Sequence, residues 1–428
     1  RLPHPAAIRV TGITPQLAAE QGLPEAAFII RIQQELAQPK TCGIGYNSIR
    51  FDDEITRFAL WRSLRDPYGR EWQNGNSRWD LLDATRAFRA LRPAGIEWPV
   101  RDDGFSSFRL EDLTAANGIE HGAAHDAMAD VVATIEIAKL LKRCDEHLFD
   151  TLYRQRTKRA VSALVNLDDL TPLVHVSGMF GGARHNLALV VPVAWHPTNN
   201  SELICVDLGK SPDFLEQPAE IVREHLFTPQ IDLPDGVERP PIKTIRLNRA
   251  PVLLPTHWVA GEVAVSLGLD GDLHRQHLSL LRAARAADPA GFVSRFRDLW
   301  QERIFPERSD PDQLLYDGFV SDGDRSLCDQ AIAEDPAALA GQSFPFADQR
   351  LPEMLFRYRA RNFPDTLSDE EAAQWREHCQ LQWQEGSFSL AQFETELAEE
   401  RARPEVTEIT LAALNQLEEW VRALSVEG

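Results

Sequence analysis

Three side chains have types and spacing that could do chemistry. His125 lies just ahead of an apolar-periodic run, and Asp130 lies about one turn inside it. Val131, Ile135, Ala138 and Leu141 recur at helical spacing, while Lys139, Lys142 and Arg143 gather at the C-terminal end, where cations suit the helix dipole. A histidine on the loop entering a helix, with a carboxylate one turn inside, can set a titratable base beside a metal ligand. The competing reading makes Asp126 an N-cap and Asp130 a solvated helix residue. The third group is Asp52, between a short apolar run ending at Gly45 and a helical pattern begun by Ile55, Phe58, Ala59 and Leu60. Carboxylates at strand ends in α/β sheets face the crevice where ligands bind; helix capping by Asp52 or Asp53 is the alternative.

The elements that must position these groups fall into three regions. Residues 1–145 read as an α/β unit, with a helix over 28–36, a strand over 41–45, a helix from Ile55, another ending at Arg92-Pro93, and a further one opened by Ser106 and Ser107. Arg109, beside those serines, could hold a phosphate at the positive end of that helix or be a plain surface arginine. From about residue 165 the pattern becomes β-rich at 172–177, 186–195, 202–207 and 242–246, separated by turn clusters such as 178–182 and 197–201. A small barrel or sandwich follows, then a helical piece from Gln276 to about Glu302. Residues 301–428 read as helical, with amphipathic runs at 324–334, 368–384, 390–403 and 407–424.

Composition narrows the classes. A chain of 428 residues exceeds one ordinary core, and 43% hydrophobic content is that of a soluble globular protein. No run of eighteen apolar residues occurs, so no membrane span is expected. The N-terminus has neither a secretory h-region nor an initiator methionine, which implies a processed or trimmed chain or a part of a longer one. Five scattered cysteines without a Cys-x-x-Cys pair point to reduced thiols in a cytoplasm. The net charge of −20 weighs against nucleic acid, but Arg154, Arg156, Lys158 and Arg159 form a local basic run. That run reads either as part of a basic groove or as a solvated linker face.

Together, Asn47, Phe51 and Asp52, followed by His125 and Asp130, resemble the second and third motifs of the DEDDh exonucleases. The stretches 45–54, 76–83, 117–121, 125–130, 175–181, 194–197 and 357–364 resemble bacterial exonuclease I in particular, across nearly the whole chain. The resemblance implies an RNase H-like α/β nuclease domain (1–145, N-terminally incomplete), an SH3-like β domain with appended helices (146–300) and an all-α C-terminal domain (301–428). It implies a monomeric 3′→5′ exonuclease that releases mononucleotides from single-stranded DNA with two Mg²⁺ ions, in repair and recombination. Such ions activate a water and stabilise the leaving oxygen, and Mg²⁺ prefers hard carboxylates. By resemblance Asp52 and Asp130 are metal ligands and His125 is the general base. Arg109, Arg57 and Arg86 correspond to substrate-contacting arginines, Tyr68 and Trp72 to base-stacking aromatics.

The family's first motif, Asp-x-Glu, has no counterpart: residues 1–46 contain only Glu20, Glu25 and Glu35 as acids. Two carboxylates are too few for two Mg²⁺ ions, so these 428 residues alone are expected to be inactive or nearly so. A catalytically dead single-strand-binding fragment is the alternative, and an RNA-directed or proofreading DEDDh nuclease is a further rival. The resemblance also implies docking of the acidic C-terminal tail of single-stranded DNA-binding protein. Arg92, Arg275, Gln276 and Arg282 are its candidate contacts, with Thr151 standing where an aromatic would serve a pocket.

Overall fold

The computed structural model describes residues 2–120, 127–300 and 309–427. His125 lies outside the described residues. Tertiary contacts divide the chain into two units, one formed by Arg1–Thr41, Asp52–Asn76 and Glu307–Gly428, the other by Cys42–Phe51 and Ser77–Pro306.

All strands among the described residues belong to the second unit. β1 (Cys42–Gly45) and β2 (Ser77–Asp80) pair in parallel, Cys42 opposite Ser77 and Gly45 opposite Asp80. β2 escapes a reading by hydropathy because Trp79 is its one apolar residue; pairing and an Arg78 Nη2 bond to the Asn248 carbonyl (2.8 Å) bury it instead. The helices Leu81–Leu91, Ala127–Cys144 and Glu146–Arg154 share one core with Trp79, in which Phe88, Ile137, Leu141 and Leu148 are fully buried. Each such side chain is worth about 1.5–3 kcal/mol of transfer free energy.

The remaining strands are β3 (Leu173–Val176), β4 (Leu187–Trp195), β5 (Glu202–Asp207), β6 (Ile242–Arg246) and β7 (Val252–Pro255). They form an antiparallel sheet ordered β6-β5-β4-β3-β7, irregular between Pro192 and Ala194, where proline has no N–H to donate. Leu173, Leu203 and Leu253 pack on one side, Val191 and Val206 with Phe292 and Phe296 on the other. β7 adds to the four predicted strands. Its four residues are too few to show alternation, and pairing with β3 is what defines it. The expected helix from Gln276 is two helices, Gly271–Ala287 and Pro289–Asp298. Asp288 caps the second through Gly291 N and Pro289 occupies its first turn, a position that suits proline.

The first unit is helical. Its C-terminal helices start where their caps dictate: Ser368 with Glu371, and Ser389 with Gln392, form reciprocal capping boxes for Asp369–Glu385 and Leu390–Arg401. Leu2 and Ile8 pack with Phe393, Leu414 and Leu417, while Trp61 and Leu64 pack with Met354 and Leu355. Residues from 1–41 and 52–76 thus share cores with the C-terminal helices. The helix Leu351–Asn362 was hidden by its charge. Arg357, Arg359 and Arg361 are matched by Asp310 and Glu353, by Glu371, and by Asp312 respectively.

Candidate active site

Gly45 and Asp80 build the turn that leads to Asp52. A Cβ on Gly45 would stand 2.4 Å from Ser48 Cβ, so no larger residue fits. Asp80 accepts hydrogen bonds from the backbone N–H groups of Asn47 (2.8 Å), Ile49 (3.2 Å) and Leu82 (2.9 Å). Burial nevertheless raises the Asp80 pKa against the lowering effect of those donors. Asn47 adopts the left-handed conformation (φ 60°), which asparagine tolerates better than most residues. Asp80 was not among the predicted site residues. Its signal was the 76–83 stretch, whose role in holding 47–49 only the fold reveals.

Asp52 is the first residue of the helix Asp52–Arg62 and is exposed. Partial loss of surrounding water, then the charge of Asp53, raises its pKa, against its own backbone N–H. Asp53, by contrast, is buried and paired with Arg70 at 2.9 Å. Of the two adjacent acids, Asp52 is therefore the one available to a ligand.

Arg57, on the same helix, is enclosed by protein partners. Its side chain is 6% exposed; Nε and Nη2 each donate to Glu71 at 2.7 Å, and Nη1 donates to Glu54 (3.1 Å) and to the Tyr316 hydroxyl (3.2 Å). Burial pulls its pKa down, but Glu71 and Tyr316 raise it on balance. A guanidinium so enclosed has its donors engaged by protein groups. It sits 5.4 Å from the centre of the Tyr68 ring, which is half-buried. Trp72 is 65% exposed, as a stacking platform must be.

In the second unit, the Tyr46 hydroxyl donates to the Phe108 carbonyl at 2.7 Å and fixes the segment before Arg109. Ser107 Oγ donates to Asp112 (2.5 Å) and accepts from Arg109 N (3.3 Å). Arg109 caps the helix Leu110–Ala116; its side chain is 70% exposed and paired with Glu111 at 2.5 Å. Arg86 pairs with Asp83 at 2.5 Å and lies over the Phe108 ring at 5.6 Å. Asp130 is exposed in the first turn of Ala127–Cys144. Among the described residues no group of three or more His, Cys, Asp and Glu could hold a metal ion. Asp52 and Asp130 are each exposed carboxylates, the hard donor type that Mg²⁺ prefers.

Three of the four candidate tail contacts already have protein partners. Arg92 pairs with Asp145 (2.9 Å) over the Trp258 ring, Arg275 pairs with Asp272, and Arg282 donates to the Asp169 carbonyl (2.9 Å). Gln276 is exposed and Thr151 is half-buried. The basic run is structural rather than a linker: Arg156 stacks 3.7 Å from the Tyr153 ring centre and donates to Ser77 Oγ, and Lys158 donates to Ser201 Oγ. Among the described residues no helix is long and apolar enough to cross a membrane.

Three family models match the chain: Exonuclease over residues 1–138, Exonuclease I SH3-like domain over 156–300, and Exonuclease I C-terminal domain over 309–424. Exodeoxyribonuclease I of Escherichia coli (strain K12) is 46% identical over 381 residues, covering 88% of this chain and 78% of that protein. The structure of E. coli exonuclease I with a dA16 oligonucleotide matches with a TM-score of 0.94 and 42% identity, over 99% of this chain and 89% of that one. A moderately thermophilic exonuclease I from Methylocaldum szegediense matches with a TM-score of 0.93 and 43% identity, over 99% and 89%. Other matching structures are a zinc-bound complex of E. coli exonuclease I with single-stranded DNA (TM-score 0.92, 41% identity) and an SSB/exonuclease I structure with an inhibitor (0.88, 40%), each over the same shares of the two chains.

Proposed function

The chain belongs to the exonuclease I family, with an RNase H-like exonuclease domain, an SH3-like domain and a helical C-terminal domain, and from that premise we propose that this nuclease degrades single-stranded DNA from the 3′ end. The observation that carries the reading is similarity across all three domains to relatives solved with single-stranded DNA. The product is a mononucleotide, the setting repair and recombination in the cytoplasm, and the working form a monomer. The domains divide near residues 145 and 300.

Mg²⁺ is the proposed cofactor, with Asp52 and Asp130 among its ligands; when bound it supplies Lewis-acid activation of water and neutralises charge on the phosphate. His125 takes the water's proton, as a side chain that titrates near neutrality can. Arg109 and Arg86 hold phosphates, while Trp72 and Tyr68 contact bases. Arg57 acts through Glu71, Glu54 and Tyr316, keeping the helix that starts at Asp52 in place. Gln276, Arg275, Arg282 and Arg92 receive the acidic tail of single-stranded DNA-binding protein, a partner named with exonuclease I in a matching structure.

The test is degradation of 5′-labelled single-stranded DNA with Mg²⁺, with EDTA, and by Asp52→Ala. A ladder shortening from the 3′ end, lost in EDTA and in the variant, supports the reading and overturns the expectation that these 428 residues alone are inactive. Binding without cleavage would instead support a catalytically silent strand binder.

A further inference from the structure

The segment that delivers Arg109 is a short hairpin. The Arg101 N–H donates to the Phe105 carbonyl at 2.8 Å, the Ser107 N–H donates to the Pro99 carbonyl at 2.7 Å, and Val100 pairs with Ser106 between them. Its root is tied to the helix Leu81–Leu91, where Arg89 Nε donates to Ser106 Oγ at 2.9 Å. These bonds fix the hairpin's shape and its base. Its tip is in solvent, with Asp102, Asp103 and Gly104 all exposed.

The tip is held by the turn between β3 and β4. Phe105 is 37% exposed, yet its remaining surface lies so close to Gly182 that a Cβ there would stand 2.5 Å from Phe105 Cγ and 2.7 Å from Phe105 Cβ. Carbon atoms in good contact are about 3.5–4.0 Å apart. Because Cβ and Cγ are the root of the phenylalanine, swinging the ring to another rotamer does not clear both. Gly182 opens the 3-10 turn Gly182–Arg184 and is absent from the glycines with positive φ. Glycine is needed there for the close approach of the ring, not for the backbone conformation. The turn itself is anchored. His185 N–H donates to the Gly182 carbonyl and Asn186 N–H to the Gly181 carbonyl, both at 2.9 Å, and Arg184 Nη2 donates to Asp207 on β5 at 2.9 Å. Bulk added at residue 182 therefore moves the hairpin and not the turn.

Arg109 follows Phe105 by four residues. An alanine at residue 182 displaces the hairpin by about 1 Å before ordinary van der Waals separation returns, a misplacement large enough to matter at a phosphate contact. Phe105 lies in the part of the chain matched by the Exonuclease model and Gly182 in the part matched by the SH3-like model, within one compact unit. We propose that the Phe105–Gly182 contact is a latch through which the SH3-like domain sets the position of Arg109 in the nuclease domain. Phe105 and Gly182 are positioning residues that act through Arg109. The inference rests on the reading of Arg109 as a phosphate contact.

The test measures binding of a dT oligonucleotide in EDTA, by fluorescence anisotropy at stepped salt concentrations. It compares the full chain with Gly182→Ala, Phe105→Ala, Arg109→Ala and the two doubles that combine either latch variant with Arg109→Ala. Gly182→Ala overfills the contact and Phe105→Ala empties it. Each should weaken binding by about 10-fold, the scale of one charge-assisted hydrogen bond, and make the salt slope shallower by about 0.7. Each double should match Arg109→Ala alone, because a contact already lost is not lost again. Damage to the fold would instead weaken binding in both backgrounds, so that the losses multiply. If Gly182→Ala melts below the assay temperature, Phe105→Ala, which adds no atom, decides alone. Multiplying losses, or wild-type affinity and salt slope in a folded latch variant, overturn the latch and leave the nuclease reading intact. Wild-type affinity in Arg109→Ala overturns the phosphate role of Arg109 and the latch with it. Failure of the unmodified chain to bind or degrade single-stranded DNA overturns the nuclease reading itself.

Discussion

Replacing Arg57 with methionine separates a strand contact from a buried structural cation. The substitution keeps most of the side-chain volume and leaves Glu71, itself 8% exposed, without its bidentate partner. Breaking a buried ion pair from one side costs about 3–5 kcal/mol. Arg70 Nη2, 3.8 Å from Glu71, and the Tyr316 hydroxyl on Glu54 retain part of the compensation, so the lower end, about 3 kcal/mol, is expected. For a cooperative unit of 150–250 residues, about 2–4 °C per kcal/mol, that is a fall of roughly 6–12 °C in thermal midpoint. The double variant Arg57→Met/Glu71→Leu removes both charges and should recover to within about 1 kcal/mol of wild type. Calorimetry on the four proteins of the cycle measures the coupling directly. A phosphate contact predicts a different pattern: near-wild-type stability, weaker DNA binding, and a salt slope shallower by about 0.7 for the lost contact. That pattern, with no recovery in the double variant, would refute the buried-cation argument.

Trp72→Ala should leave the thermal midpoint unchanged, since the side chain is 65% exposed, and weaken single-strand binding by about 1–3 kcal/mol in a fluorescence-anisotropy titration. Burial, aided by the nearby Lys243 charge, lowers the His175 pKa from 6.5 to about 3, and His175 Nδ1 donates to the Val252 carbonyl at 2.9 Å. Because the unfolded chain takes up this proton at higher pH, stability falls as pH drops below about 6.5, by roughly 2 kcal/mol at pH 5. His175→Phe should lack that increment in urea titrations at pH 7 and pH 5. Asp130→Ala should abolish Mg²⁺-dependent release of nucleotides while preserving strand affinity in EDTA, as measured by gel shift.

Periodicity and short-range chemistry were readable without coordinates. The helical spacing after Met128, the amphipathic runs at 368–384 and 390–403, and the apolar runs of β3 to β6 depend on neighbours within a few residues, and the elements lie where those signals put them. The motif stretches identified the family for the same reason, because side-chain identity is written directly in the chain. Tertiary structure decided which partner each polar group meets. Arg57 in sequence is an arginine on a helix facing either water or phosphate; Glu71 and Tyr316, brought in by folding, enclose it. Asp80 holds the 47–49 turn through backbone donors more than thirty residues earlier in the chain. Trp61 and Leu64 meet Met354 and Leu355 from nearly three hundred residues later in the chain, a proximity no local pattern encodes. A side chain's type bounds what it can do, and burial and partners, set by contacts distant in sequence, select which of those roles it takes.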